Sequence, residues 1–154
     1  MKSIHQWLTE YGESHQNETN KFIHWLCVPA IFFSIVALLY AIKLPFTFSS
    51  HQLNMAIVVL FFVLIYYFIL SKSLSIGMFL FTLLCLWFCH FIEQTGFIKL
   101  WLFAIIIFAA AWVGQFYGHK IEGKKPSFLK DIQFLMIGPA WLMSFIYKKL
   151  GVGL

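Results

Sequence analysis

The sequence predicts an all-α integral membrane protein in which residues 1–154 form a single membrane-embedded domain. Two observations carry this prediction. Hydrophobic residues make up 61% of the chain and charged residues 11%, whereas soluble domains are about half apolar and a quarter charged. Long apolar runs without charge also approach the ~20 residues that a helix needs to cross the hydrocarbon core. These features exclude a soluble globular fold.

The N-terminal segment predicts a short amphipathic helix that lies on the membrane surface. Ile4, Trp7, Leu8 and Tyr11 follow helical spacing, and Ser3 is a suitable N-cap. Residues 1–20 lack an apolar core and a small-residue cleavage site, so we expect no signal peptide.

Four apolar segments are predicted to span the membrane, and a fifth leaves three alternatives open. Short polar breaks separate the four segments, which predicts antiparallel neighbours. The fifth segment is charged near its start and contains Gly138-Pro139, so it forms a fifth span, a re-entrant segment or an interfacial helix. The expected architecture is therefore four to five transmembrane helices. The segments cover residues 22–42, 53–70, 74–92, 98–116 and 128–147.

The distribution of lysines predicts the orientation in the membrane. The net charge of +5 arises from eleven lysines and no arginine, and it suggests membrane lipids rather than nucleic acid as partners. With a cytosolic N-terminus and four spans, nine lysines face the cytosol and only Lys43 and Lys99 lie outside. The positive-inside rule favours this orientation, in a bacterial inner membrane or the endoplasmic reticulum. A fifth span changes the count to seven against four and keeps the same orientation.

The three cysteines predict neither a disulfide framework nor a thiol metal motif. Cys27, Cys85 and Cys89 all lie inside apolar runs, and their number is odd. Cys85 and Cys89 are four residues apart, which excludes a CxxC motif.

Two histidines flank the polar stretch that precedes the first span. His15 continues the apolar stripe of the N-terminal helix, and His24 follows nine residues later. In an unbroken helix, nine residues would place the two imidazoles on opposite faces. We therefore predict a bend within residues 17–20, with Thr19 or Asn20 capping the first span.

A polar stripe at the end of the fourth span reaches the same membrane face. Trp112, Gln115, His119 and Glu122 are spaced three, four and three residues apart on one helix, which Pro126 is expected to end. Histidines with a carboxylate suit non-haem iron, or zinc with a bound water. The candidate ligands are His15, His24, His119 and Glu122, with Asn17, Asn20 and Gln115 as the groups that orient them.

Other functional classes fit parts of the same pattern. A non-catalytic scaffold, lipid-binding or small transport protein can also carry interfacial histidines. A haem-binding bundle needs axial ligands that face each other, and His90 has no obvious partner at its depth. A zinc hydrolase would use the same ligands, so metal identity and substrate distinguish it from an iron enzyme.

The motifs at the two ends of the chain resemble the 2-hydroxy fatty acid dioxygenase family, formerly a domain of unknown function. The founding member of that family is a fungal endoplasmic-reticulum enzyme of phytosphingosine breakdown. The string "IGPAWL" near the C-terminus is also similar to the corresponding segment of this family. The N-terminal signature is Tyr11, His15, Asn17, Asn20, His24, Val28 and Pro29, and the second is Gln115, Phe116, Gly118, His119, Glu122 and Pro126.

The resemblance implies an Fe(2+) enzyme that performs α-oxidation with dioxygen, converting a 2-hydroxy fatty acid into a fatty acid one carbon shorter. It implies His15, His24 and His119 as the iron-binding and catalytic residues, with Glu122 as a further ligand. The family often has one more residue between this histidine and the glutamate. A basic pair that includes Arg commonly precedes the proline. Here Lys124 and Lys125 occupy that position and are assigned to substrate binding, although Lys lacks the bidentate fork of Arg.

Overall fold

The structure, a computed structural model, describes residues 2–48, 51–123 and 128–154. Within these ranges the chain is mostly helical, with one short β-hairpin. The elements in chain order are α1 (Ile4–Gly12), α2 (Glu18–Ala41), β1 (Lys43–Phe48), β2 (His51–Asn54), α3 (Met55–Leu70), α4 (Lys72–Thr95), α5 (Leu100–Glu122) and α6 (Phe128–Leu150).

Three helices of the described part are long and apolar enough to cross a membrane, namely α2, α4 and α5. Helix α3 is also apolar but has only 16 residues. The prediction of a mostly helical chain with apolar helices long enough to span a membrane is therefore confirmed. The number of four to five spans, which would include α3 and α6, stays a prediction.

Helices α2 and α5 form the most extensive helix pair of the described structure. Two glycines of α5 allow this approach. A Cβ at position 114 would lie 2.5 Å from the Cys27 Sγ, and a Cβ at position 118 would overlap the Asn20 Oδ1. Small residues let helix backbones pack closely where no hydrophobic effect drives association. This pairing brings the start of α2 beside the end of α5.

Helix α6 packs against α1, α2 and α4, and hydrogen bonds fasten it at two levels. The Tyr147 hydroxyl donates to the Ser73 carbonyl at 2.7 Å and accepts from the Gly77 N–H at 3.0 Å. The Tyr67 hydroxyl, fully buried, donates to the Met136 carbonyl at 2.6 Å. Helix α6 is thus held against the α3–α4 hairpin, and it supports α1 on its other side.

Helix α1 begins where the sequence predicts. The Gln6 N–H donates to the Ser3 hydroxyl at 3.3 Å, and the Ser3 N–H donates to the Gln6 side-chain oxygen at 2.8 Å. This capping box satisfies donors that the first turn of a helix leaves unpaired. Ile4 and Tyr11 are buried within the protein, where α1 packs on α6.

The all-α prediction omitted the hairpin formed by β1 and β2. These antiparallel strands pair Lys43 with Asn54 and occupy the segment that we interpreted as a polar break. The second apolar helix consequently starts at Met55 rather than at residue 53. Asn54 ends the strand and caps α3, because its Oδ1 accepts from the Ile57 N–H at 3.2 Å.

Two helix boundaries near the histidines also differ from the prediction. Helix α2 begins at Glu18 with Asn17 as its N-cap, so residues 13–17 form the break between the helices. The predicted caps, Thr19 and Asn20, are already helical. Helix α5 ends at Glu122 because Gly123 adopts a positive φ of 71°, and the predicted terminator Pro126 lies outside the described residues.

Candidate metal centre

Three histidines from three parts of the chain converge at one end of the helix bundle. His15 lies in the loop after α1, His24 near the start of α2, and His119 in the last turn of α5. One nitrogen from each ring lies within 4.8 Å of the other two. Nitrogens bound at about 2.1 Å to one ion lie at most about 4.2 Å apart, so small ring movements suffice to share an ion.

Backbone carbonyls orient two of the three rings. The Nδ1 of His15 lies 2.6 Å from the Tyr11 carbonyl, and the Nδ1 of His24 lies 2.9 Å from the Asn20 carbonyl. A carbonyl only accepts hydrogen bonds, so each Nδ1 carries the proton and each lone pair is on Nε2. Both side chains are buried, with 3% and 1% of their surface exposed. Nε2 is thus the ligand atom that these two residues present.

Aromatic side chains form the wall of this centre. The Tyr11 ring stacks on His15 at a centroid distance of 4.3 Å, and the Trp141 ring lies 5.4 Å from His15. Gly138 of α6 admits Tyr11, since a Cβ there would lie 3.1 Å from the Tyr11 hydroxyl. Trp141 was not among the candidate site residues that the sequence suggested. Its position within the "IGPAWL" match is the signal that links it to the site.

The Glu122 carboxylate fastens the loop that carries His15 to the helix that carries His119. One oxygen accepts from the Gln16 N–H at 2.8 Å. The other accepts from the Asn17 N–H at 3.0 Å and from the Asn20 side-chain amide at 2.9 Å. We call these contacts the Glu122 clamp. Among the described residues, the group that could hold a metal ion consists of His15, His24 and His119, and Glu122 is not part of it. The role of Glu122 as a ligand stays a prediction.

The groups that were expected to orient the ligands have different environments. The Asn17 Oδ1 caps α2, accepting from the Thr19 and Asn20 N–H groups at 2.9 and 3.2 Å. The Asn20 side chain joins the Glu122 clamp, whereas its carbonyl holds His24. Gln115 is buried on α5, one turn before His119.

The assigned substrate-binding residues Lys124 and Lys125 lie outside the described residues. Their role stays a prediction.

The fold and the site define a predominantly helical protein with candidate membrane spans and a three-histidine cluster, of which His15 and His24 are buried and His119 is partly buried. The chain belongs to the Mpo1-like family, because the family model "2-hydroxy-palmitic acid dioxygenase Mpo1-like" matches residues 1–150. A Saccharomyces cerevisiae relative named "2-hydroxy-palmitic acid dioxygenase MPO1" is 30% identical over 143 residues, covering 92% of this chain and 78% of the relative. No solved structure matches the chain. The family that the sequence motifs suggested is thereby confirmed.

Proposed function

We propose that this protein is an iron(II)-dependent dioxygenase of 2-hydroxy fatty acids. The observation that carries the proposal is the convergence of His15, His24 and His119 at one point of the structure. Membership of the Mpo1-like family, with a relative named as a 2-hydroxy-palmitic acid dioxygenase, supports the substrate class. Three imidazoles leave coordination positions for exogenous ligands, as non-haem iron chemistry requires. Zinc is the alternative ion for the same donor set.

The proposed reaction is an α-oxidation that shortens the acid by one carbon. The C1–C2 bond breaks, C2 becomes the carboxyl carbon of the product, and C1 leaves as carbon dioxide. Dioxygen is reduced, and water is released with the product. His15, His24 and His119 would hold the iron, and the bound ion would supply the activation of dioxygen.

The protein's own residues contribute positioning and exclusion of water. The carbonyls of Tyr11 and Asn20 fix the ring orientation of His15 and His24, which reduces the motion that ion binding must arrest. The Glu122 clamp keeps two of the ligand-bearing segments together. Tyr11 and Trp141 are nearly fully buried against His15 and keep bulk water from that side.

The location of the cluster suits a substrate with a polar head and a long tail. The histidines lie where α2 begins and α5 ends, and both helices are candidate membrane spans. The acyl chain can remain among lipids while the head group reaches the ion. We further propose an integral membrane protein with its N-terminus and metal centre on the cytosolic side, as the lysine distribution favours.

Turnover by the purified protein tests this function. The full chain in lipid nanodiscs, loaded with Fe(2+), is supplied with 2-hydroxypalmitate and dioxygen, and products are identified by mass spectrometry. We expect pentadecanoate with dioxygen, none without it, and none from palmitate. Ester hydrolysis by zinc-loaded protein, without oxidation of 2-hydroxypalmitate, would replace the dioxygenase by a hydrolase.

A further inference from the structure

Gln115 is a buried polar side chain for which the described protein supplies no partner. Only 7% of its surface is exposed, and its side chain takes no part in the hydrogen bonds among the described residues. Burying an amide without a hydrogen bond costs free energy, so such groups normally meet a ligand or an ordered water. The environment of Gln115 therefore indicates a partner that the described residues do not provide.

The position of Gln115 on α5 is one turn from His119 and at the level of His24 on α2. Residues four apart on a helix are neighbours, and side chains lean toward the helix N-terminus, so His119 leans over Gln115. Gly114 and Gly118 flank Gln115 on α5 and contact residues on both sides of His24 on α2, namely Ile23, Cys27 and Asn20. Gln115 thus lies at the level of His24, one turn further into the bundle than His119.

Two of the three histidines do not need this amide for their orientation. The Nδ1 atoms of His15 and His24 already have backbone carbonyls as partners. Three residues before Gln115, the indole Nε1 of Trp112 is likewise buried without a partner among the described residues. An indole N–H only donates, so this side of α5 offers two buried donors. Their common requirement is a ligand rich in acceptors.

We propose that Gln115 donates a hydrogen bond to the carboxylate of the 2-hydroxy fatty acid. The inference rests on the substrate class of the proposed function. A carboxylate presents only acceptor lone pairs, and those that do not bind the ion need donors in a buried site. Gln115 is thereby a substrate-binding residue, and the Trp112 Nε1 is a second buried donor on the same side of α5.

Equilibrium binding of radiolabelled 2-hydroxypalmitate tests the inference without turnover. The nanodisc protein is held under argon with Fe(2+), and its metal content is measured in parallel. Gln115→Leu removes the donor, and Gln115→Glu keeps the shape but presents acceptors to the carboxylate. Gln94→Leu is the matched control, since Gln94 is exposed near the end of α4.

We expect Kd to rise about tenfold or more in both Gln115 variants, because a hydrogen bond to a charged group is lost. Metal content and the Kd of the Gln94→Leu variant should equal those of the wild type. An unchanged Kd in Gln115→Glu would overturn the inference in favour of an ordered water, and loss of metal there would overturn it in favour of a metal-orienting role. Binding that depends on Gln115 in a protein without turnover would refute only the dioxygenase reaction.

Discussion

The contact between Gly118 and Asn20 sets the distance between the two helices that carry His119 and His24. The Asn20 side chain occupies the space that a Cβ at position 118 would need, and the same side chain reaches Glu122. The glycine therefore serves both the packing of α2 on α5 and the geometry of the candidate site.

The substitution Gly118→Ala should lower the free energy of unfolding by about 1–3 kcal/mol, as overpacking does at tight contacts. It should also weaken iron binding, because Asn20 must move. Thermal unfolding in detergent and metal titration measure the two effects. Gly153→Ala is the control, since a Cβ there meets open space. Wild-type stability in Gly118→Ala would contradict this account of the contact.

The identity of the site residues was more predictable than their individual roles. His15, His24 and His119 follow from motif spacing and from the expectation that both chain segments reach one membrane face. Their partners do not follow, because a backbone carbonyl that fixes a ring has no sequence signature. Trp141 was missed as a wall residue because a tryptophan in an apolar segment equally suits packing or the interfacial belt.

At the scale of the elements, the loop of residues 13–17 depends on α5 for its position. Two of its backbone N–H groups, those of Gln16 and Asn17, donate to the Glu122 carboxylate. The sequence indicated a break between His15 and His24 but misplaced it, because Asn17, Thr19 and Asn20 are all residue types that can cap a helix.

Replacing the acceptor of the Glu122 clamp tests the dependence of the loop on α5. Glu122→Gln puts an amide donor where the carboxylate now accepts, so His15 should lose its fixed position. We expect metal affinity to fall roughly 10–100-fold, as for other residues that support ligands. Metal titration is the measurement, and Glu93→Gln, which alters the exposed Lys43–Glu93 pair, is the control. Equal losses in both variants would contradict a specific role of the clamp.

The Tyr147 hydroxyl adds two hydrogen bonds to the packing of α6 against α4. Tyr147→Phe removes both the hydrogen bond to Ser73 and the one from Gly77. We expect a loss of about 1 kcal/mol in the free energy of unfolding, measured by denaturant titration in detergent. Tyr117→Phe, at an exposed position of α5, should have no effect. If Tyr147→Phe also has none, the hydroxyl does not hold α6 in place.

The hairpin and the helix ends show where hydropathy alone is insufficient. Residues 43–48 and 51–54 contain apolar side chains between polar ones, and only the pairing of β1 with β2 distinguishes these strands from a loop. Hydropathy places the middle of each apolar helix correctly. It does not locate their ends, because these depend on caps such as Asn54 and Gly123.

At the scale of the whole molecule, the proposed orientation places the histidine end of the bundle in the cytosol. Single-cysteine variants on a background with the native cysteines replaced by alanine test it. Thr19→Cys, near the histidines, should react with a membrane-impermeant maleimide only after permeabilisation of the cells. Gln94→Cys should react in intact cells, because Gln94 lies at the C-terminal end of α4, which the proposed orientation places outside the cytosol. The reverse pattern would contradict the orientation.

The packing of the helices brings the three histidines of the candidate metal centre together. Segments about a hundred residues apart meet at one point because α2 packs closely against α5 and α6 packs against α1. Each of the three histidines comes from a different part of the chain. Replacing any one of them should therefore abolish metal binding while leaving the helices in place.

Elemental analysis of the anaerobically purified protein tests the central claim most directly. Wild type, His119→Ala and the control His90→Ala, an exposed histidine of α4, are compared after loading with Fe(2+). The account predicts near-stoichiometric iron in the wild type and in His90→Ala, and its loss in a folded His119→Ala. Iron retained equally by His119→Ala, or absent from all three folded proteins, would contradict a three-histidine metal centre.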